Sequence, residues 1–365
     1  MRVHGGGCTG RRGMVRIRCV VMAVGLALAA LWSGGAMAAE LPETRLRVVG
    51  GLAGVNQFTR HELPFWTKRI KERSDGRITA EVLPFDQGGL RGQEMLRLLS
   101  LGVVPFGTMI LSLATEDPEL AAADLPLLNP DFATLRRSVA AYRPVIRRFL
   151  RERYDLELLA IYAYPAQVLY CRRPFRGLGD LKGRRIRTSG VAQAELVEAL
   201  GAIPVVTPFA EIVGAVQRDV VDCAITGTMS GNGIGLHEVT THVHEMAVTW
   251  GLSVFAANGA AWAALPASVR DFLLPQIADL EAEIWESAEH DTGEGLACNA
   301  GQPACASGRR GRMVRVPVSS EDAARARALI AQVVLPGWIG RCGDGCAAVW
   351  NASLGPLLSI PAAPE

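Results

Sequence analysis

Short stretches in which apolar and polar residues alternate are interleaved with longer ones in which apolar residues recur every three or four positions. Leu46 to Val49 predicts a strand that enters a Gly-rich turn at Gly50, Gly51 and Gly54. Phe65 to Arg73 predicts a helix opened by Pro64, a residue suited to a first helical turn, and closed by Ser74-Asp75-Gly76. Ile78 to Leu83 then alternates as a strand, Gln93 to Leu101 is helical up to Gly102, and a strand follows around Val103 to Leu111. A helix over Phe132 to Arg153 comes next. Strands and helices keep alternating through Leu156–Tyr164, Val168–Cys171, Arg185–Thr188, Val191–Leu200 and Ile203–Val206. That order predicts an α/β fold with mostly parallel sheets. In open sheets of this kind, ligands bind beyond the carboxyl ends of the strands.

Farther along, Val269, Leu273, Ile277, Leu280, Ile284 and Ala288 fall on one stripe, which predicts a long helix from Pro266 to Leu296. Pro275 is expected to kink it unless the helix starts there. Gly, Pro and Cys dominate Gly293 to Gly311, a loop. A strand at Met313–Val318, a helix at Ser320–Val333 and a Pro-rich tail complete the chain, with no internal repeat.

Composition narrows the class. The chain has 365 residues, 49% hydrophobic and 20% charged, with a net charge of +2. That is a globular composition, and the length suits two domains. Five arginines (Arg2, Arg11, Arg12, Arg16 and Arg18) precede Glu40 with no acidic residue among them. The rest of the chain carries 33 basic and 36 acidic residues, a balance that offers no surface for nucleic acid. The three lysines, Lys68, Lys71 and Lys182, open no phosphate-binding loop.

The arginine-rich start leads into an apolar run from Cys19 to Trp32 and then Ala36-Met37-Ala38. A basic start, a short apolar core and an A-x-A exit describe a secretory signal peptide over 1–38, cleaved after Ala38 or Ala39. Met14 heads a more ordinary signal than Met1 does. The run is short for a transmembrane helix, which needs about 20 residues. A periplasmic, soluble mature protein is expected.

Six cysteines follow the leader: Cys171, Cys223, Cys298, Cys305, Cys342 and Cys346. Export makes disulfides the default reading, although six cysteines allow fifteen connectivities that sequence cannot choose among. Cys298 with Cys305 and Cys342 with Cys346 lie close together in Gly-rich stretches, where short bridges form easily. Neither pair has the C-x-x-C spacing of a zinc site. Cys171 and Cys223 sit inside strand-like segments and read as small buried apolar residues.

Catalytic signatures fail one after another. His237-Glu238 and His242 are spaced five apart rather than four, which turns the second histidine away by about 140° on a helix. His244 and Glu245 leave a loop metal site conceivable, against which stands the plain reading of solvated or structural histidines. In Gly227-Thr228-Met229-Ser230-Gly231 the serine is fourth, not centred as a nucleophile elbow requires. A thiol nucleophile at Cys171 or Cys223 needs a histidine that sequence cannot place. No cofactor is implied, and nothing demands catalysis.

The informative stretch runs from Leu181 to Val239. Arg187 ends a short strand and hands over to Thr188-Ser189, residues suited to capping the next helix. An arginine at that place can point into a cleft, where its planar fork fits a carboxylate. Thr226 and Thr228 follow the strand Val220–Ile225 and offer hydroxyls beside it. Phe209 opens the next helix and offers an aromatic wall. Arg184 and Arg185 read as surface charges.

These residues resemble the solute-binding proteins of tripartite ATP-independent periplasmic (TRAP) transporters, in their dicarboxylate-binding branch. The family pattern D-L-K-G-x-[KR]-x-R, then L-G-A-x-P, F-x-E-[VI], A-[LV]-Q, V-V-D and E-V, is carried by Asp180 to Arg187, Leu200 to Pro204, Phe209 to Ile212, Ala215 to Gln217, Val220 to Asp222 and Glu238-Val239. Ser74-Asp75-Gly76-Arg77, Pro84 to Gln87 and Asp124 to Leu127 also match.

The resemblance implies a two-domain Venus-flytrap binding protein that closes on an organic acid and delivers it to an integral membrane TRAP permease. Domain I is expected at 39–165 plus 253–275 and domain II at 166–252 plus 276–350, with a tail over 351–365. Hinges fall near Tyr164–Gln167 and Trp250–Phe255. The family's selectivity arginine corresponds to Arg187 and its cleft phenylalanine to Phe209. Where many members have a second ligand-binding arginine this chain has Gln167, where many have asparagine it has Thr226, and Cys223 replaces a glycine. One positive charge fewer favours a monocarboxylate with an apolar or aromatic body over a dianion, and Trp250 is a candidate for the apolar wall. The expected molecule is a monomer with no enzymatic activity. Rival readings are a binding protein serving a sensor or another transporter, and a secreted hydrolase or thiol enzyme.

Overall fold

The computed structural model of the chain describes residues 41–343 and 345–362, so the signal peptide read at 1–38 lies outside the described residues. The strands are β1 (Thr44–Gly50), β2 (Ile78–Pro84), β3 (Phe106–Ile110), β4 (Leu156–Ala163), β5 (Gln167–Cys171), β6 (Arg185–Thr188), β7 (Ile203–Val206), β8 (Cys223–Gly227), β9 (His242–His244), β10 (Leu252–Asn258) and β11 (Val314–Val316). In β1 the period of two is plain: Leu46 and Val48 are buried, Arg45 and Arg47 exposed.

Among the described residues the strands form two sheets, in the orders β2-β1-β3-β10-β4 and β11-β9-β5-β8-β6-β7. Both are mixed. In the first, β1 runs parallel to β2 and β3, while β10 is antiparallel to β3 and β4. Strand β10 is buried along its whole length, which accounts for its unbroken small and apolar sequence. In the second sheet, β6 is parallel to β7 and β8, and β5 is antiparallel to β8 and β9. The chain passes from the first sheet to the second between Ala163 and Gln167 and returns between His244 and Leu252. Each sheet with its flanking helices makes one lobe.

The helix Ala267–Asn299 buries all six residues of the expected stripe, from Val269 to Ala288. It continues through Pro275 and past Gly293, where the sequence predicts a loop. Packing explains the extension. A Cβ on Gly295 would lie 2.4 Å from the backbone nitrogen of Met229, so glycine is what lets these turns meet the helix Thr228–Gly233. Closer to its middle, Trp285 Nε1 donates to the carbonyl of Ile161 in β4 at 2.7 Å.

Three further expectations change. The helix predicted from Phe65 runs continuously over 57–73, because Phe58 is buried on the same side as Trp66 and Ile70 and carries it back past Pro64. The segment read as a tail over 351–365 takes up the end of the helix Cys346–Ala352 and forms the helix Leu354–Leu358. It is held down by Trp350, whose Nε1 donates to Ile360, and by Asn351, which exchanges hydrogen bonds with Ala362. Finally, Cys171 and Cys223 form a disulfide rather than standing as separate apolar residues. They are directly opposed in the β5–β8 register with Cα atoms 4.1 Å apart, so the sheet itself brings them together. Cys298–Cys305 and Cys342–Cys346 are also bridged. Among the described residues no helix is long and apolar enough to cross a membrane.

Candidate functional site

A cavity of about 710 Å³ lies between the two lobes. Its first-lobe wall is largely apolar and includes Leu52, Val55, Phe85, Leu90 and Ile110; the second lobe contributes Arg187, Ser189, Phe209 and Thr226. Tyr164 and Gln167, at the passage between the sheets, and Gly251, on the return, complete it.

Arg187 is 4% exposed, at the carboxyl end of β6. Its Nε donates to the carbonyl of Thr207 at 2.9 Å and its Nη1 to that of Ile225 at 2.7 Å. Those two bonds leave three of a guanidinium's five N–H donors for a ligand. Among the described residues no carboxylate pairs with it. Burial alone pulls its pKa down to about 10, so it stays a cation at neutral pH. A buried cation without a counter-ion, facing an open cavity, is a ready anion site.

Gln167 opens β5, anchored by its N–H to the carbonyl of Thr249 at 2.8 Å. Behind it stands Gln193, which donates to Thr249 Oγ1 at 2.9 Å. The Oε1 of Gln193 accepts from the N–H and hydroxyl of Ser189 at 3.0 and 3.1 Å. That arrangement corrects the expected cap, because the helix Val191–Ala199 begins after Gly190 with no side-chain cap, and Ser189 is tied to Gln193 instead. Thr226 is buried in β8 opposite Val168. The half-buried ring of Phe209 reaches toward the first lobe, where a Cβ on Gly54 would lie 3.6 Å from it.

Two of the expected residues stand elsewhere. Thr228 is buried and donates its hydroxyl to the carbonyl of Asp291. Trp250 is buried against Phe132, with ring centroids 5.1 Å apart, and its Nε1 donates to the carbonyl of Asn129. Neither lines the cavity. Arg185 pairs with Asp222, and Arg184 donates to the carbonyls of Arg173, Pro174 and Asp180.

The sequence marks Tyr164 only as part of a hinge and Ser189 only as a cap, and it gives no sign of Gln193 or Glu62. Glu62 is buried and accepts from Gly51 N, Thr108 Oγ1 and Gln57 Nε2 at 2.6, 2.7 and 3.2 Å. With no cation beside it, desolvation holds its pKa up. The hydroxyl of Tyr164 is buried close to Ser253 and Gln57. None of these side chains belongs to a local motif, which is why only folding reveals them.

Among the described residues, the metal-ligand grouping is His290, Asp291 and Glu294, not the histidines around 237–244. Asp291 accepts from Asn56 Nδ2, and Glu294 accepts from Ala306 N and from the N–H and hydroxyl of Ser307. Those carboxylates serve to fasten loops. His244 is buried beside Asp322 instead of facing a metal partner.

The model of the bacterial extracellular solute-binding proteins, family 7, matches residues 50–297. Over 252 residues the chain is 27% identical to the outer membrane transporter protein TsaT of Comamonas testosteroni, covering 66% of this chain and 72% of that one. DctP7, a Bordetella pertussis extracytoplasmic solute receptor binding pyroglutamic acid, superposes with a TM-score of 0.74 at 23% identity, over 85% of this chain and 98% of its own. A TRAP periplasmic solute-binding protein of Desulfovibrio salexigens with bound orotic acid gives 0.72 at 18% identity, over 86% and 97%. The fold is therefore the two-domain periplasmic binding fold.

Proposed function

The chain belongs to the bacterial extracellular solute-binding proteins, family 7, the solute receptors of TRAP transporters, and we propose that it captures a monocarboxylate on Arg187 and hands it to a TRAP permease. Its family is one of receptors, not enzymes. The segment 1–38 acts in this reading as the export signal, and the receptor works as a monomer outside the cytoplasm.

One observation carries the proposal: Arg187 is a buried cation whose unused donors have no acidic partner among the described residues while its side chain lines the interlobe cavity. A carboxylate there gains two parallel, charge-assisted hydrogen bonds. The charge count argues for one carboxylate. Gln167 is neutral, and the exposed rim of the cavity carries Arg91 against Asp86, Glu94 and Glu211. A second carboxylate would find no second buried cation and an acidic rim. Phe85, Phe209, Leu52 and Ile110 suit an apolar or ring-bearing body. The ligands of the Bordetella pertussis and Desulfovibrio salexigens receptors, pyroglutamic and orotic acid, each join one carboxylate to a ring, which supports the reading.

Thermal unfolding of the purified mature protein against mono- and dicarboxylates, after removal of co-purified ligand by refolding, tests it. A ligand at 1,000 times its Kd adds about 4 kcal/mol, or several degrees in Tm. Shifts given by monocarboxylates and not by dicarboxylates are expected. A flat panel, or shifts given by dicarboxylates alone, overturns the reading.

A further inference from the structure

We propose that a second, smaller cavity beside the main one is the subsite for the uncharged apolar end of the ligand, so that the protein selects short-tailed monocarboxylates by length. The inference rests on the reading of Arg187 as the carboxylate anchor and adds to it where the rest of the molecule goes.

The second cavity holds about 70 Å³ and shares Ser112, Gln167 and Gly251 with the main cavity. The two spaces thus adjoin at these three residues. At this seam the lobes touch: a Cβ on Gly190 would lie 3.0 Å from the carbonyl oxygen of Ser112, so both lobes contribute to the wall. Most of that wall is apolar and comes from segments far apart in the chain, including Leu111, Pro118, Leu125, Ala192 and Trp338.

Gln193 and the charged side chains that face it are already engaged. Gln193 is bonded to Ser189 and Thr249. Arg341 is paired with Glu195. Asp124 accepts from the backbone N–H groups of Trp250 and Gly251 at 3.0 and 2.7 Å, and among the described residues it forms no ion pair. An anionic group entering here would meet an acidic side chain in a largely apolar wall. A methyl or ethyl end would meet carbon.

The main cavity therefore presents a cation with no acidic partner among the described residues, and the side cavity a largely apolar wall whose acid, Asp124, and arginine, Arg341, are both already engaged. A ligand fits that polarity in one direction, with its carboxylate on Arg187 and its neutral end past Gln167. The volume equals about two water molecules' share of liquid, room for two or three carbon atoms.

Calorimetry with straight-chain monocarboxylates from propionate to decanoate tests the subsite, on the wild type, Ala192→Leu and Ala121→Leu. The two substitutions fill the side cavity from different walls and away from the main one. Circular dichroism and Tm first establish that each variant folds; either one suffices. In the wild type, affinity should climb about fourfold per methylene over two or three consecutive acids and then stop. In the filled variants the climb should vanish while the shortest acids bind within about twofold of wild type. The same length profile in wild type and variants overturns the subsite but leaves Arg187 as anchor. No straight-chain acid bound at all overturns the subsite, and unchanged binding in Arg187→Ala overturns both readings.

Discussion

The Nη1 of Arg187 donates to the backbone carbonyl of Ile225 at 2.7 Å, which ties the guanidinium of β6 to the strand β8 that also carries Thr226. With Nε held by Thr207, the plane of the group is fixed before any ligand arrives. Preorganisation of this kind lowers the entropy cost of binding. It also means that a lysine at this position, with one rotatable point charge, would not reproduce the fork.

The disulfide between Cys171 and Cys223 closes a loop of 52 residues inside one sheet and, on chain entropy, contributes about 4 kcal/mol. The paired change Cys171→Ala with Cys223→Ala should therefore lower Tm by several degrees in non-reducing buffer. A Tm within one degree of wild type, about the precision of the method, would show that the bridge adds nothing.

Gly295 abuts the backbone of Met229 and Thr228, which cannot swing aside as a side chain does. Gly295→Ala should cost roughly 1–3 kcal/mol, as overpacking does, even though alanine is the better helix former. Urea unfolding measures it, and an unchanged or raised midpoint contradicts the packing account.

Burial raises the carboxyl of Asp124 from 3.8 to about 7. Because the folded state then holds the proton more tightly, this group's contribution is full below about pH 4 and is lost as pH rises to about 7. Asp124→Asn keeps the neutral shape at every pH. The difference in Tm, variant minus wild type, should grow across that window and level off above it. A difference that is flat with pH would show that Asp124 is ionised throughout.

Much of this molecule is legible in its sequence, for local reasons. The stripe from Val269 to Ala288 and the alternation in β1 follow from periodicity, and Arg187 stands out because a strand ends there. What sequence hides depends on contacts between distant segments. Cys171 and Cys223 look like core residues until strand register opposes them. Gly293 and Gly295 read as loop signals, yet Gly295 serves a close approach between helices. Trp250 lies next to the return to the first lobe, but its ring turns to Phe132 and not to the cleft. The side cavity, walled by segments from Leu111 to Arg341, has no local signature at all.

The central claim is that Arg187 holds the ligand's carboxylate, and calorimetry on Arg187→Ala against wild type measures it most directly. Removing one member of a buried ion pair costs about 3–5 kcal/mol, which corresponds to a loss of affinity of about a hundredfold or more. The account predicts that loss for a monocarboxylate that the wild type binds, with the variant still folded. Binding by the variant within about threefold of wild type, well under one decade of affinity, would contradict it.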